Sequence, residues 1–407
     1  MIIKIIFIIS LVLENVFEFF LAFLNDKYVK VPLPENVKDV YDEEKYNKWL
    51  NYRNACKKVS TASTIVSAIF TLVLLVFNIH AKIFNLLDFN KFIQYILFIL
   101  IFSVVTLPFS IPFEYYQNFK VEEEYGFNKS TRKTFWIDQI KSFILDFVLS
   151  TLLFLFVMVV FEFLGNWGIL IVIVAIIAFN LVVACFSLQV LKIFNKFTPL
   201  EEGDLRTGLL QLCEKYNVQV KDIYVMDASK RTTRANAFCT GLTKKKTISL
   251  DDNLVNKYST EEIVAVFAHE FGHAKYKHNA KSVWFAFFRI IILILSLGVI
   301  LNIPAICQAF GFEDVNYFFS FTILTMISWP ISKAFDLISN KISRTFEYQA
   351  DAFAAKEGYG DALISALKRL SKDSLVNLNP HPFVVMLEHS HPTLSQRIDA
   401  IDKSDNK

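Results

Sequence analysis

Residues 152–165 read LLFLFVMVVFEFLG, and residues 290–303 read IIILILSLGVILNI. A bilayer span needs about 20 mostly apolar residues, and both stretches lie inside runs of that length. Working outward by the same criterion gives seven candidate spans: 1–24, 61–79, 92–113, 143–164, 167–191, 282–304 and 315–337. The composition agrees, with 54% hydrophobic residues, 42 phenylalanines and a mean hydropathy of +0.40. A net charge of +3, from 42 Lys+Arg against 39 Asp+Glu, excludes a disordered chain and a basic nucleic-acid binder. Cys56, Cys185, Cys213, Cys239 and Cys307 are scattered without a CxxC pair, which excludes a disulfide scaffold and reads as reduced thiols. With 20% of residues charged, much of the chain must still meet water.

The loops orient the spans. Segments 25–60, 114–142, 192–281 and 338–407 are rich in Lys and Arg, and the intervening loops are poor in them. By the positive-inside bias this places the N-terminus outside the cytosol and the tail within it. The first run, with Lys4 ahead of it, also fits a signal peptide, but Glu14 and Glu18 interrupt it and no small-residue cleavage pattern follows. Glu14, Glu18, Asp146, Glu162 and Arg289 fall inside spans or at their ends, which suggests a polar interior or interfacial positions. The organisation expected is an N-terminal membrane region over 1–191 with five spans and a water-exposed segment over 192–281. The sixth and seventh spans, 282–337, and a second water-exposed segment, 338–407, complete it. Segment 192–281 reads helix (201–217), strands 222–226, 235–241 and 246–250, then helix 259–278; segments 25–60 and 114–142 read as charged loops.

That last helix carries VFAHEFGHAKYKH. His269 and His273 are one turn apart, so both imidazoles reach one ion, and Glu270 is placed to take a proton from its water. Gly272 leaves space beside the metal. Two histidines leave a catalytic zinc one protein ligand short. The best third candidate is Glu347 in SRTFEYQADAFAA, because the interval from His273 holds two spans and so returns the chain to the same face. Asp351, one turn on, is placed to accept the free N–H of a ligand histidine. Of the remaining histidines, His278 reads as a solvated helix-end residue and His80 as interfacial. His381, His389 and His391 read as capping and surface residues.

HEFGH (269–273), FEYQADAFA (346–354) and SHPTLSQRI (390–398) together resemble the integral-membrane zinc endopeptidases called CAAX prenyl proteases type 1, which mature yeast a-factor and prelamin A. FEFFLAF (17–23), EEEYGFNKSTRKTFWIDQIKS (122–142), FNKFTPLEEGDLR (194–206) and IYVMDASKRTTRANAFCTG (223–241) extend the resemblance from Glu14 to Ile401. It implies an all-α multi-span membrane protein: seven helices around a water-filled chamber, with a small α+β gluzincin-type protease domain on the cytosolic side. It implies one Zn2+ on His269, His273 and Glu347, with Glu270 as general base and Asp351 behind the ligands. It further implies Asn236 on the substrate backbone, and His391 and Arg397 at the oxyanion. The implied substrates are prenylated CaaX proteins losing their last three residues, with a second upstream cut in some members. The implied setting is the membrane lipid of the endoplasmic reticulum or inner nuclear membrane, without nucleic acid. Ala274 stands where relatives often carry tryptophan, and the tail DKSDNK holds no dilysine signal. A general quality-control protease acting on misfolded or translocon-stalled chains is the alternative enzyme. A transporter or receptor with a vestigial site would require a missing catalytic group, and none is missing.

Overall fold

The computed structural model describes residues 1–240 and 245–405. Its long helices are Ile2–Tyr28, Glu43–Val76, Lys91–Tyr116, Arg132–Leu164, Gly168–Cys185 and His278–Leu301, with Tyr317–Ile327 breaking into Trp329–Ala354. Each of the first six packs on the next, His278–Leu301 packs on Tyr317–Ile327, and Tyr317–Ile327 packs back on Ile2–Tyr28. Among the described residues, seven helices therefore form a closed ring. Only 11% to 28% of each long apolar window is buried within the protein. One cavity inside the ring, of about 360 Å³, is lined by Ser63, Ser67, Thr106, Ser110 and Thr322 as well as by phenylalanines.

Five helical stretches are long and apolar enough to cross a membrane, counting Arg132–Cys185 as one continuous run of 54 residues. That run folds back on itself at Gly165, whose φ of +51° suits glycine, and its two halves pack together. A sixth crossing needs the bent pair, which turns by 57° between Ile327 and Trp329. The expected 315–337 span is thus broken at Ser328, just before Pro330, whose ring removes an amide donor.

Several charges in the spans or at their ends are paired. Arg289 meets Asp336 at 3.1 Å, Lys333 meets Glu18 at 2.7 Å, and Lys91 meets Glu162 at 2.7 Å. His80, expected at an interface, is instead buried, its ring stacked on Phe102 with centroids 4.4 Å apart. The charged segments beside the spans are also less irregular than expected. Asp42 caps a helix that runs from Glu43 straight into the second apolar stretch, because nothing in 43–60 breaks it.

Outside the ring lies a four-stranded sheet of order β1-β2-β4-β3, with β1 at Phe197–Pro199, β2 at Gln219–Met226, β3 at Ala237–Thr240 and β4 at Lys245–Asp251. β1 was not legible in sequence: three residues ending in proline suit only a sheet edge. β3 forms the other edge and runs antiparallel to β4. A buried cluster joins Val37, Val40 and Trp49 of the first basic segment and Phe127 of the second to Leu375, Leu378, Leu394 and Ile398 of the last. A second buried cluster joins Leu209, Ile223, Leu250 and Phe267 of segment 192–281 to Phe353, Leu363 and Ile401 of the last, so the four Lys/Arg-rich segments gather on one side of the ring.

Candidate metal centre

The helix Thr260–Lys275 starts at a capping box, in which Ser259 accepts from the Glu262 amide and the Glu262 carboxylate accepts from the Ser259 amide. Its apolar face, Ile263, Val264, Phe267, Ala268 and Phe271, is buried in the core that also takes in the sheet, so the motif side chains have little freedom. It packs against the helix Trp329–Ala354, which presents Glu347 and Asp351. The two helices approach closely at Gly272. A Cβ there would lie 3.0 Å from Ala350 Cα and 3.3 Å from Ala350 Cβ. Gly272 therefore serves the contact between the two ligand-bearing helices, in addition to any space it leaves at the ion. Gly272→Ala is expected to cost about 1–3 kcal/mol by overpacking, read as a lower Tm together with weakened metal retention. An unchanged Tm would contradict the contact.

His269 Nε2 and His273 Nε2 lie 3.1 Å apart, and Glu347 oxygens approach them at 3.4 and 3.3 Å. Donors bound at about 2.0–2.1 Å around one tetrahedral ion should be separated by roughly 3.3 Å, so the spacing fits a single metal. Glu347 Oε2 is buried and has no hydrogen-bond partner among the described residues, as suits an oxygen aimed at an ion. Burial acts to raise the Glu347 carboxyl, but the two imidazoles and the Arg397 charge outweigh it and hold it well below the usual carboxylate range. Burial also opposes ionisation of Asp351, and there Arg397 and His269 prevail and lower it.

Both imidazoles are oriented from behind. His269 Nδ1 is 2.8 Å from Asp351 Oδ1, so its N–H donates there and Nε2 is left with a lone pair. His273 is held by a residue that sequence reasoning misassigned. His278 is not solvated: it is 1% exposed, stacked on Phe346 with centroids 4.1 Å apart. Lys277, at φ +55°, breaks the helix and folds His278 back under the motif. His278 Nε2–H donates to Gln349 Oε1 at 2.9 Å, which leaves its Nδ1 to accept from His273 Nδ1 at 3.1 Å. Gln349 was likewise missed. Neither residue carries a sequence signal, since no glycine or asparagine announces the break at 277.

A cavity of about 170 Å³ faces the cluster and is lined by Asn236, His269, Glu270, Glu347, His391 and Arg397 among others. The structure thus brings all the sequence candidates together, with Asp351 immediately behind. Arg397 is mostly spent on Asp351, donating from Nε at 2.9 Å and Nη2 at 2.6 Å, and its Nη1 stands 3.6 Å from Glu347. His391 is more exposed and reaches Glu347 with Nε2 at 3.4 Å. Asn236 turns its Oδ1 onto the Ala237 amide at 2.9 Å, just before edge strand β3. His381, by contrast, caps the helix Pro382–Glu388, as its place before proline suggests.

Comparison with known proteins matches the chain along nearly its whole length. A family model for peptidase family M48 matches residues 199–405, and a model for the CAAX prenyl protease N-terminal region, with five membrane helices, matches 25–196. CAAX prenyl protease 1 of Saccharomyces cerevisiae is 30% identical across 95% of this chain and 92% of its own. A CAAX prenyl protease 1 homolog of Dictyostelium discoideum is 32% identical across 98% and 97%. The crystal structure of S. mikatae Ste24p superposes with a TM-score of 0.93 at 29% identity, covering 98% of this chain and 99% of that one. A ring of apolar helices carrying a buried His-His-Glu cluster, matched in sequence and fold over nearly its whole length, assigns the chain: it belongs to peptidase family M48, among the CAAX prenyl protease 1 metalloproteases.

Proposed function

We propose that the chain is a zinc endopeptidase that removes the terminal aaX tripeptide from prenylated CaaX proteins. The observation that carries it is the His269–His273–Glu347 cluster facing a cavity that reaches edge strand β3. Two imidazoles and one carboxylate are the donor set of hydrolytic zinc sites. Bound there, zinc would supply Lewis acidity and lower the pKa of water to about 7. Glu270 takes the proton of the attacking water and delivers it to the leaving amine nitrogen. His391 and the Arg397 Nη1 group stabilise the developing oxyanion with N–H donors. Asn236 and the β3 edge hold the peptide extended, where backbone hydrogen bonds give affinity independent of side chains.

Seven spans, a lumenal N-terminus and a cytosolic protease domain in the endoplasmic reticulum complete the reading. The closed helix ring and the gathering of the four basic segments on one side support it. The test is incubation of the purified protein with a farnesylated CaaX peptide, with and without chelator, and mass mapping of products. Release of the C-terminal tripeptide, abolished by chelator and restored by Zn2+, is expected. Equal turnover of the unprenylated peptide would instead favour general membrane quality control.

A further inference from the structure

Residues 231–234 lead directly into Asn236 and edge strand β3, yet the sheet does little to hold them. Their backbone is held largely by the segment that follows the third long helix. The Lys129 amide donates to the Arg231 carbonyl and the Thr233 amide to the Phe127 carbonyl, each at 3.0 Å, and Asn128 bridges Thr232. From the other flank Asn253 Nδ2 donates to the Thr232 and Arg234 carbonyls at 2.7 and 2.9 Å.

The two arginines of this segment point toward the ring. Arg231 donates from Nε and Nη2 to Asp138 at 2.8 and 3.1 Å, from Nη1 to Asn195 Oδ1 at 3.0 Å, and from Nη2 to the Phe194 carbonyl at 2.6 Å. Arg234 donates to the Tyr52 hydroxyl at 2.7 Å and to Glu122 at 3.0 Å, and its guanidinium lies over the Phe127 ring at 4.6 Å. Glu122 also accepts from Tyr52 at 2.6 Å and from Gln117 at 3.0 Å. Tyr52 belongs to the second long helix and Asp138 to the fourth; Glu122 lies in the turn that follows the third, and Phe194 and Asn195 follow the fifth. Two ring helices, and the segments that follow two others, therefore converge on two side chains placed five and two residues before Asn236. Bidentate and multiply bonded guanidinium contacts fix geometry as well as charge. A surface ion pair serving only solubility would not consume a backbone carbonyl, an amide and a carboxylate with one guanidinium.

We infer that Arg231 and Arg234 are positioning residues: through them the ring sets the height of the β3 edge over the metal centre, and so the docking of the peptide. The inference rests on the protease reading for its kinetic consequence, but not for its structural one. Its test uses the full-length protein in lipid nanodiscs, with Arg234→Met, Arg231→Lys and the exchange Arg231→Asp with Asp138→Arg. Hydrogen exchange read by mass spectrometry should accelerate over 235–240 in the single variants and stay unchanged over 260–275. With a farnesylated CaaX peptide, KM should rise roughly tenfold while kcat holds within about twofold, the signature of lost uniform binding. The charge exchange should recover most of the KM. A merely structural role would reduce the active fraction, lowering kcat with KM unmoved. That result, or unchanged exchange over 235–240, overturns the inference. Should the wild-type protein fail to cleave the peptide, the prenyl reading falls, and the exchange data alone decide the positioning role.

Discussion

Glu270→Gln is expected to lower turnover of a farnesylated CaaX peptide by roughly a thousandfold, within the range general acid–base groups contribute, while leaving the metal bound. Glu270 lines the cavity beside His269 and Glu347, but the metal-binding donor set is His269, His273 and Glu347. Glutamine keeps the size and the polar contacts and loses the capacity to hold a proton. The variant should therefore contain the same metal per chain by elemental analysis, show an unchanged Tm, and still bind peptide with near wild-type KM. A retained tenth of the activity would remove Glu270 from the proton path. A variant that lost its metal would instead make Glu270 part of the site's architecture.

How legible the molecule was in sequence depends on the kind of signal. Hydropathy is a property of a stretch, so the apolar spans were readable, and the HExxH spacing is local, so His269, Glu270 and His273 were too. Glu347 and Asp351 followed from a count of crossings and from their spacing on a helix. What escaped depends on backbone conformation that composition does not encode. The break at Lys277, which turns His278 into a support for His273, carries no glycine. The bend after Ile327 is marked only by Pro330, inside an apolar run whose hydropathy continues through it. KRTTR at 230–234 entered only as part of a family-like segment, and nothing local to it names the partners that other segments supply. Asn236, His391 and Arg397 came from resemblance alone, and the geometry gives them a shared cavity.

Glu347→Gln should abolish both metal retention and turnover, because it replaces an ionised donor with an amide on a site that has only two others. Asp351→Asn is the more discriminating change. Loss of a carboxylate behind a ligand histidine typically weakens metal affinity by about 10–100-fold. It also leaves Arg397 buried with its bidentate partner gone, and Asp351 itself is fully buried. Removing one partner of a buried ion pair costs about 3–5 kcal/mol, so Tm should fall along with affinity. The two effects have different origins and can be parted. In Asp351→Asn combined with Arg397→Met the stranded charge is gone, so most of the Tm should return. The His269 N–H still lacks its carboxylate, so metal affinity should stay low, and the oxyanion loses one donor besides. Recovery of both quantities would mean that Asp351 serves only to neutralise Arg397. Recovery of neither would mean that the pair acts as one unit in the packing of the two helices. The expected split, stability regained and metal affinity not, would show that Asp351 orients a ligand as well as balancing a charge.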